Sequence, residues 1–334
     1  MIAHAYQATK MEWPVDWEKM FGRQAPLGVE IGFGSGNFLV NWAQERPDWN
    51  LVGIEISLVS VRKAESKVRG AGLENVCVVQ GSAQLALWAL FGRDSIGQVY
   101  INFPDPWHKD RHHHRRLIQP KFLELLASRV QVGAELNIAT DHAEYATFIE
   151  EVLASGAHFE SRDEAAFVLA TEAQMHTKYE RIGFEEGRRG HYFRWRRRET
   201  AVADDVYPLP KEWPMPHMTV QLPLSLSQVA FAFEPQLLQA GERHIRLLSI
   251  FESHDRTSLL VEINVTEEPL AQRVGVVVQG KGINEYLISV HEMGFPRPTS
   301  GLHDAVRAVG EWMVGLHSEG EILKDNLRPW GDKG

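Results

Sequence analysis

The chain has 334 residues, 44% hydrophobic and 24% charged, with a formal net charge of −9 and a single cysteine, Cys77. This is the composition of an ordinary folded chain of about two domains, and one cysteine excludes an internal disulfide and a cysteine-cluster metal site. The start, Met1-Ile-Ala-His-Ala-Tyr6, lacks a basic stretch followed by an apolar run, and no window approaches the ~18 apolar residues that span a bilayer, so a cytoplasmic protein is expected.

In chain order, the first part alternates short apolar runs with amphipathic stretches. Leu27–Ile31 predicts a strand that ends in glycines, and residues 37–44 a helix. Residues 51–56 predict a second strand, and 57–69 a helix with Ser57 as its N-cap. Val76–Gln80, with Cys77 buried in it, and residues 96–103 predict strands on either side of a helix over 82–91. Pro120–Arg129 reads as a helix, 134–140 as a strand and 141–153 as a helix that Asp141 can cap. Residues 167–170 and His191–Arg197 add two more strands. Strands alternating with helices of this length imply βαβ units and a parallel sheet covered on both faces.

Residues 201–223 break the pattern. Pro208, Pro210, Pro214, Pro216 and Pro223 punctuate them, and they read as a linker. Residues 224–334 no longer alternate strand with helix. They predict strands at 245–252, 258–265, 274–279 and 285–291, then one amphipathic helix at 299–316. This predicts a smaller α+β domain. The helix carries an apolar face, Leu302, Val306, Val309, Met313 and Leu316, which needs one partner surface: the domain's own sheet or the preceding domain.

The charge is unevenly spread. From Ala201 onward there are 18 acidic and 11 basic residues, which leaves the first 200 nearly neutral. Those 200 contain two dense basic clusters, residues 111–116 and 188–198. Local basic patches govern phosphate contact more than total charge does.

The glycine run Glu30-Ile-Gly32-Phe-Gly34-Ser-Gly36 closes the first predicted strand. Glycines there let the backbone turn sharply and approach a ligand. The spacing is G-x-G-x-G, not the dinucleotide G-x-G-x-x-G, and a carboxylate at Glu30 repels a pyrophosphate but suits a cationic ligand such as S-adenosylmethionine. Glu55, ending the second strand, can accept both hydroxyls of a ribose, in either ligand class. An NAD-linked dehydrogenase is the rival reading.

The fourth strand runs into Asn102-Phe-Pro-Asp105-Pro-Trp107-His-Lys109-Asp-Arg111-His-His-His-Arg115-Arg116. In an open α/β sheet this is the ligand-binding end. Three adjacent histidines on a loop do not converge easily on a metal, and the run suits phosphate contact better.

These residues resemble the bacterial tRNA (guanine-N7)-methyltransferases. The motif Phe103-Pro-Asp-Pro-Trp107 with its basic run, the Glu30–Gly36 turn, Gly53-Ile-Glu55, Ala139-Thr-Asp141 and Thr177-Lys-Tyr-Glu180 occur in the family's order, over about residues 20–198. The resemblance does not extend to the C-terminal domain. It implies a Rossmann-like class I methyltransferase fold, a seven-stranded sheet with six parallel strands and one antiparallel. It implies that Glu30, Gly32, Gly34, Gly36, Glu55, Ser82 and Asp105 hold S-adenosylmethionine, with Asp105 the leading catalytic candidate. Lys109, Asp141, Thr177, Lys178, Tyr179 and Glu180 would contact the substrate, and Arg111, Arg115 and Arg116 the tRNA. One departure stands out: Gly81-Ser82-Ala83 follows the third strand, where the family has an acidic or amide residue near the adenine. The implied reaction places a methyl group on guanine N7 in the tRNA variable loop, position 46. The alternatives are a methyltransferase for another RNA or amino-group substrate, and a non-catalytic RNA-binding module.

Overall fold

The computed structural model describes residues 5–169, 189–203, 213–293 and 296–330. The chain forms two compact units, Met1–Pro208 and Leu209–Gly334.

In the first unit, β1 (Ala5–Gln7) and the short helix α1 (Trp17–Phe21) precede the alternating part. There follow β2 (Leu27–Ile31), α2 (Asn37–Glu45), β3 (Asn50–Glu55), α3 (Leu58–Gly70), β4 (Val76–Gln80), α4 (Ala83–Leu90) and β5 (Ile96–Asn102). Then come α5 (Pro120–Arg129), β6 (Val130–Thr140), α6 (Ala143–Ser155), β7 (Phe159–Ser161), β8 (Val168–Leu169) and β9 (His191–Arg197). The strand order is β1-β4-β3-β2-β5-β6-β9-β7, with β8 paired to β9. Within it, β4-β3-β2-β5-β6-β9-β7 is the expected seven-stranded sheet, with β9 reversed against the rest. Neither β1 nor β7 is predicted from the sequence, because three-residue strands carry no periodicity of their own.

All five residues of β2 are buried, as are Val76–Val79 of β4. Strands covered on both faces read as continuous apolar runs, which is why the sequence reveals them. Burial pushes the Cys77 thiol well above its ordinary pKa, consistent with an inert core residue. Ser57 caps α3, accepting from the Ser60 N–H at 3.3 Å. The cap of α6 is a correction: His142 and not Asp141 precedes the first helical residue, and its Nδ1 accepts from the Tyr145 N–H at 3.2 Å. From β2 the chain moves outward to β3 and β4, then returns to β5 on the other side of β2. That reversal opens a crevice at the carboxyl ends of the strands, where open α/β sheets bind ligands.

Among the described residues, the second unit is one antiparallel sheet with two helices. It contains β10 (His217–Gln221), α7 (Leu226–Phe231), β11 (Gln236–Ala240), β12 (Arg243–Glu252), β13 (Ser258–Glu267), β14 (Leu270–Gly282), β15 (Glu285–Val290), α8 (Ser300–Val314) and β16 (Glu321–Asp325). The order is β11-β12-β13-β14-β15-β10-β16. Strand β10 corrects the linker at its C-terminal end. Residues 217–221 pair with both β15 and β16, and Met218 and Val220 are buried. Pro216 and Pro223 bracket this strand from outside, so the prolines mark its limits and not a loop. Leu302, Val306, Val309 and Met313 of α8 pack on the unit's own sheet, in one cluster with Val220, Val265 and Ile288. Gly310 permits the close approach, since a side chain there would collide with the Met218 sulfur. Arg243 of β12 donates to buried Asp304 of α8 at 2.7 Å, and Glu267 of β13 accepts from the Gly301 N–H at 3.1 Å. These bonds fix the register of helix on sheet.

Candidate functional site

After β2 the backbone turns through Gly32 at φ +75° and Gly34 at φ +53°, conformations that side chains disfavour. A Cβ added at either would meet nothing within 4 Å, so open space lies beside the turn. Gly36 is different. A Cβ there would lie 2.6 Å from the Ala64 Cβ. Its missing side chain lets α2 start against α3, a packing role in addition to the one expected of it at the cofactor.

Glu55, at the exit of β3, secures this turn. Its Oε2 accepts from the Gly34 N–H at 3.0 Å and its Oε1 from the Ser57 N–H at 2.9 Å. Each carboxylate oxygen keeps a second acceptor position for a sugar hydroxyl. The next residue, Ile56, is 71% exposed, an apolar surface beside the carboxylate that a strand-end isoleucine does not announce in sequence. Ser82 caps α4, accepting from the Leu85 N–H at 3.2 Å, so its hydroxyl already has a structural task beyond any adenine contact.

Glu30 is the most perturbed group in the cradle. It is 1% exposed. Its Oε1 accepts from the Asn102 side-chain amide at 3.2 Å, and its Oε2 has no partner among the described residues. Burial pushes its carboxyl up to about 8, against the Asn102 hydrogen bond and with a smaller contribution from Glu55. An unpartnered buried carboxylate oxygen is costly, and an ammonium group arriving there would satisfy it. Open space beside Gly32 and Gly34, the orphaned Glu30 oxygen and the Glu55 bracket fit a cationic amino-acid ligand carrying a ribose. S-adenosylmethionine has those features; a dinucleotide pyrophosphate would face an acid.

The Asn102–Glu30 bond also ties the exit of β5 to that of β2, and so sets where the next loop begins. Phe103 and Trp107 sit at φ +52° and +47°, on either side of Pro104-Asp105-Pro106. Non-glycine residues there are strained, and such strain gathers at functional sites. Asp105 is exposed and its Oδ1 accepts from the Trp107 N–H at 3.1 Å. The loop continues into a 3-10 turn, Asp110–Arg115. The Arg115 guanidinium lies over the Trp107 ring at 5.1 Å, and His112 packs on the same ring.

Lys109, Arg111 and Arg115 are exposed on this turn. Arg116 is not. It is 3% exposed, donates to the Pro106 carbonyl at 2.9 Å and to Glu144 of α6 at 2.7 Å, and lies over Tyr145 and Phe148. Arg116 therefore leaves the tRNA-contacting set: its charge clamps the loop to α6. The arginines of β9, with Arg198 just after it, also divide. Arg197 is buried and hydrogen-bonded to backbone carbonyls, while Arg194 pairs with Asp163, and Arg196 and Arg198 with Glu160. That ladder fits a neutralised sheet face better than a phosphate platform. Asp141 stands at the exit of β6, just before α6. Thr177, Lys178, Tyr179 and Glu180 lie outside the described residues. Among the described residues, no three or more His, Cys, Asp or Glu side chains gather as a metal site.

Residues 24–192 match the family model described as "Putative methyltransferase". The tRNA (guanine-N(7)-)-methyltransferase of Thermus thermophilus is 33% identical over 308 residues, 89% of this chain and 92% of that protein. That of Paraburkholderia xenovorans is 40% identical over 172 residues, 52% of this chain and 66% of its own length. That of Thermotoga maritima is 36% identical over 177 residues, 53% of this chain and 56% of its own. The Thermus match is too long to stop at the first unit. It corrects the expectation that the resemblance ends near residue 198: the C-terminal unit is shared as well. With the crevice, the acidic cradle and these relatives together, the chain belongs to the methyltransferase family that contains the tRNA (guanine-N7)-methyltransferases.

Proposed function

We propose that the protein transfers a methyl group from S-adenosylmethionine to N7 of a guanine in tRNA, at position 46 of the variable loop. The observation that carries this reading is the Asn102–Glu30 hydrogen bond. It joins a cradle suited to a cationic ligand to the loop bearing Asp105, so donor and acceptor sites share one crevice. S-adenosylmethionine supplies an electrophilic methyl on sulfur. Guanine N7 offers an in-plane lone pair and no proton, so the transfer needs no general base. The protein's task is to align N7, methyl carbon and sulfur, the proximity contribution to rate. Glu30 and Glu55 hold the donor. Asp105, exposed at the loop, faces a base that becomes cationic as the methyl arrives, and a fixed carboxylate there stabilises that charge. Lys109, Arg111 and Arg115 present positive charge for the RNA backbone, which positions without reading sequence.

Nucleoside mass spectrometry of tRNA treated with the protein and labelled donor tests the reading. Formation of 7-methylguanosine at position 46, abolished when that residue is 7-deazaguanosine, is the expected result. Label on an exocyclic amine or on another RNA would favour the alternative substrate class, and no transfer with intact RNA binding would favour a binding module.

A further inference from the structure

We propose that His142 and His108 form a positioning pair for methyl transfer, holding the two substrate-side residues next to them, Asp141 and Lys109, at a fixed separation. The proposal rests on the reading of the site given above.

The pair comes from the end of β6 and from the loop after β5. His108 Nδ1 and His142 Nε2 are 3.0 Å apart, with ring centroids at 4.8 Å and an interplanar angle of 55°. The direction of this hydrogen bond follows from the helix cap. His142 Nδ1 accepts from the Tyr145 N–H, so it carries no proton. A neutral imidazole then has its proton on Nε2, and that N–H donates to His108 Nδ1. The backbone of His142 is held in turn, its N–H donating to Thr140 Oγ1 at 3.3 Å. Thr140 is 1% exposed at the end of β6. One imidazole thus both starts α6 and reaches across to the Asp105 loop.

The loop needs such a restraint. Its backbone is strained at Phe103 and Trp107, and strain persists only where the surroundings over-determine the conformation. The start of α6 grips it through Glu144 and His142. Glu144 holds Arg116, which holds the Pro106 carbonyl. His142 holds His108, two residues further along the loop. The first grip fixes the near end of the loop, next to Asp105. The second reaches His108, the residue next to Lys109. Neither histidine needs to touch the reacting atoms; each acts through its neighbour.

The test separates the cap from the bridge. His142→Ser keeps a hydroxyl that can cap α6 but cannot reach His108. His108→Leu removes the acceptor and leaves the cap alone. Both bridge-breaking variants should melt close to the wild type and keep KM for S-adenosylmethionine, with kcat on tRNA lowered about 10- to 100-fold, the loss typical of a small misplacement. The double variant His108→Leu/His142→Ser should be no slower than either single one, because the two groups serve one contact. Wild-type kcat in His108→Leu, or losses that multiply in the double variant, would overturn the proposal. Nitrogen-15 NMR of the imidazoles gives a readout besides activity: His142 should show a bare Nδ1 and a protonated Nε2, with the Nε2 proton moving on His108→Leu. If the wild type methylates no tRNA, the functional reading fails, while this NMR pattern still decides whether the pair exists.

Discussion

Glu30→Gln isolates the perturbed carboxylate of the cradle. The group is fully buried, accepts from Asn102, and has its carboxyl pushed up to about 8 because burial penalises its charged form. Its folded pKa is raised above that of an exposed carboxyl, so the native state holds the proton across a window from about 4.5 to 8. The associated stability is fully present below that window and is lost as pH rises through 8. At about 1.4 kcal/mol per unit, the upper bound is roughly 5 kcal/mol, and relaxation or water entry in the crevice reduces it to on the order of 2–4 kcal/mol. Glutamine has the shape of the protonated acid and cannot ionise. Thermal melting without ligand should therefore give similar midpoints for wild type and variant near pH 5. Near pH 9 the variant should melt higher, by about 2–4 °C per kcal/mol for a unit of this size. Titration calorimetry should show the opposite for the ligand: S-adenosylmethionine binds the wild type more tightly as pH rises toward 8, releasing a proton, while the variant binds at least ~10-fold more weakly and without pH dependence. Parallel melting curves from pH 5 to about 9, with equal ligand affinity, would refute the assignment of Glu30 as the cation-facing acid.

Asp105→Ala should abolish methyl transfer in a tritiated-methyl assay and leave the circular dichroism spectrum intact, since the side chain is exposed and, among the described residues, holds the Trp107 N–H. Alanine at Arg111 and Arg115 should weaken tRNA binding and lower the log–log salt slope by roughly one unit each at an unchanged melting midpoint; Arg116→Ala should instead destabilise by about 2–3 kcal/mol, through lost packing on Tyr145 and Phe148 and the lost Pro106 bond, as read by denaturant melting. Removing one partner of the buried Arg243–Asp304 pair with Asp304→Ala should cost about 3–5 kcal/mol and appear as a loss of the C-terminal unit's transition in calorimetry. A fragment ending at Pro208, the limit of the first compact unit, should remain soluble and bind S-adenosylmethionine in calorimetry; an insoluble fragment would show that the units depend on each other.

What is legible in the amino-acid sequence comes from local signals. Buried parallel strands announce themselves as apolar runs, so Leu27–Ile31 and Val76–Gln80 match the structure at both ends. Ser57 is a helix cap by its chemistry alone, and the glycines after β2 mark a turn wherever it lies in space. Because strand exits gather at one edge of a parallel sheet, strand order alone assigns Glu30, Glu55 and Asp105 to one crevice. Tertiary structure decides the rest, because burial and partnership depend on segments far apart in the chain. Arg116 looks like its neighbour Arg115 in sequence, but only the fold brings Glu144 and the Pro106 carbonyl to it and removes it from solvent. Residues 217–221 lie between the prolines that suggest a linker, and become a strand because β15 and β16 lie on either side to take their backbone hydrogen bonds. His142, one position after the aspartate expected to cap α6, takes the start of that helix and reaches His108, which is 34 residues away along the chain. A backbone dihedral choice at Thr140–Ala143 and the packing of a distant loop set that contact, and neither is written in the local pattern.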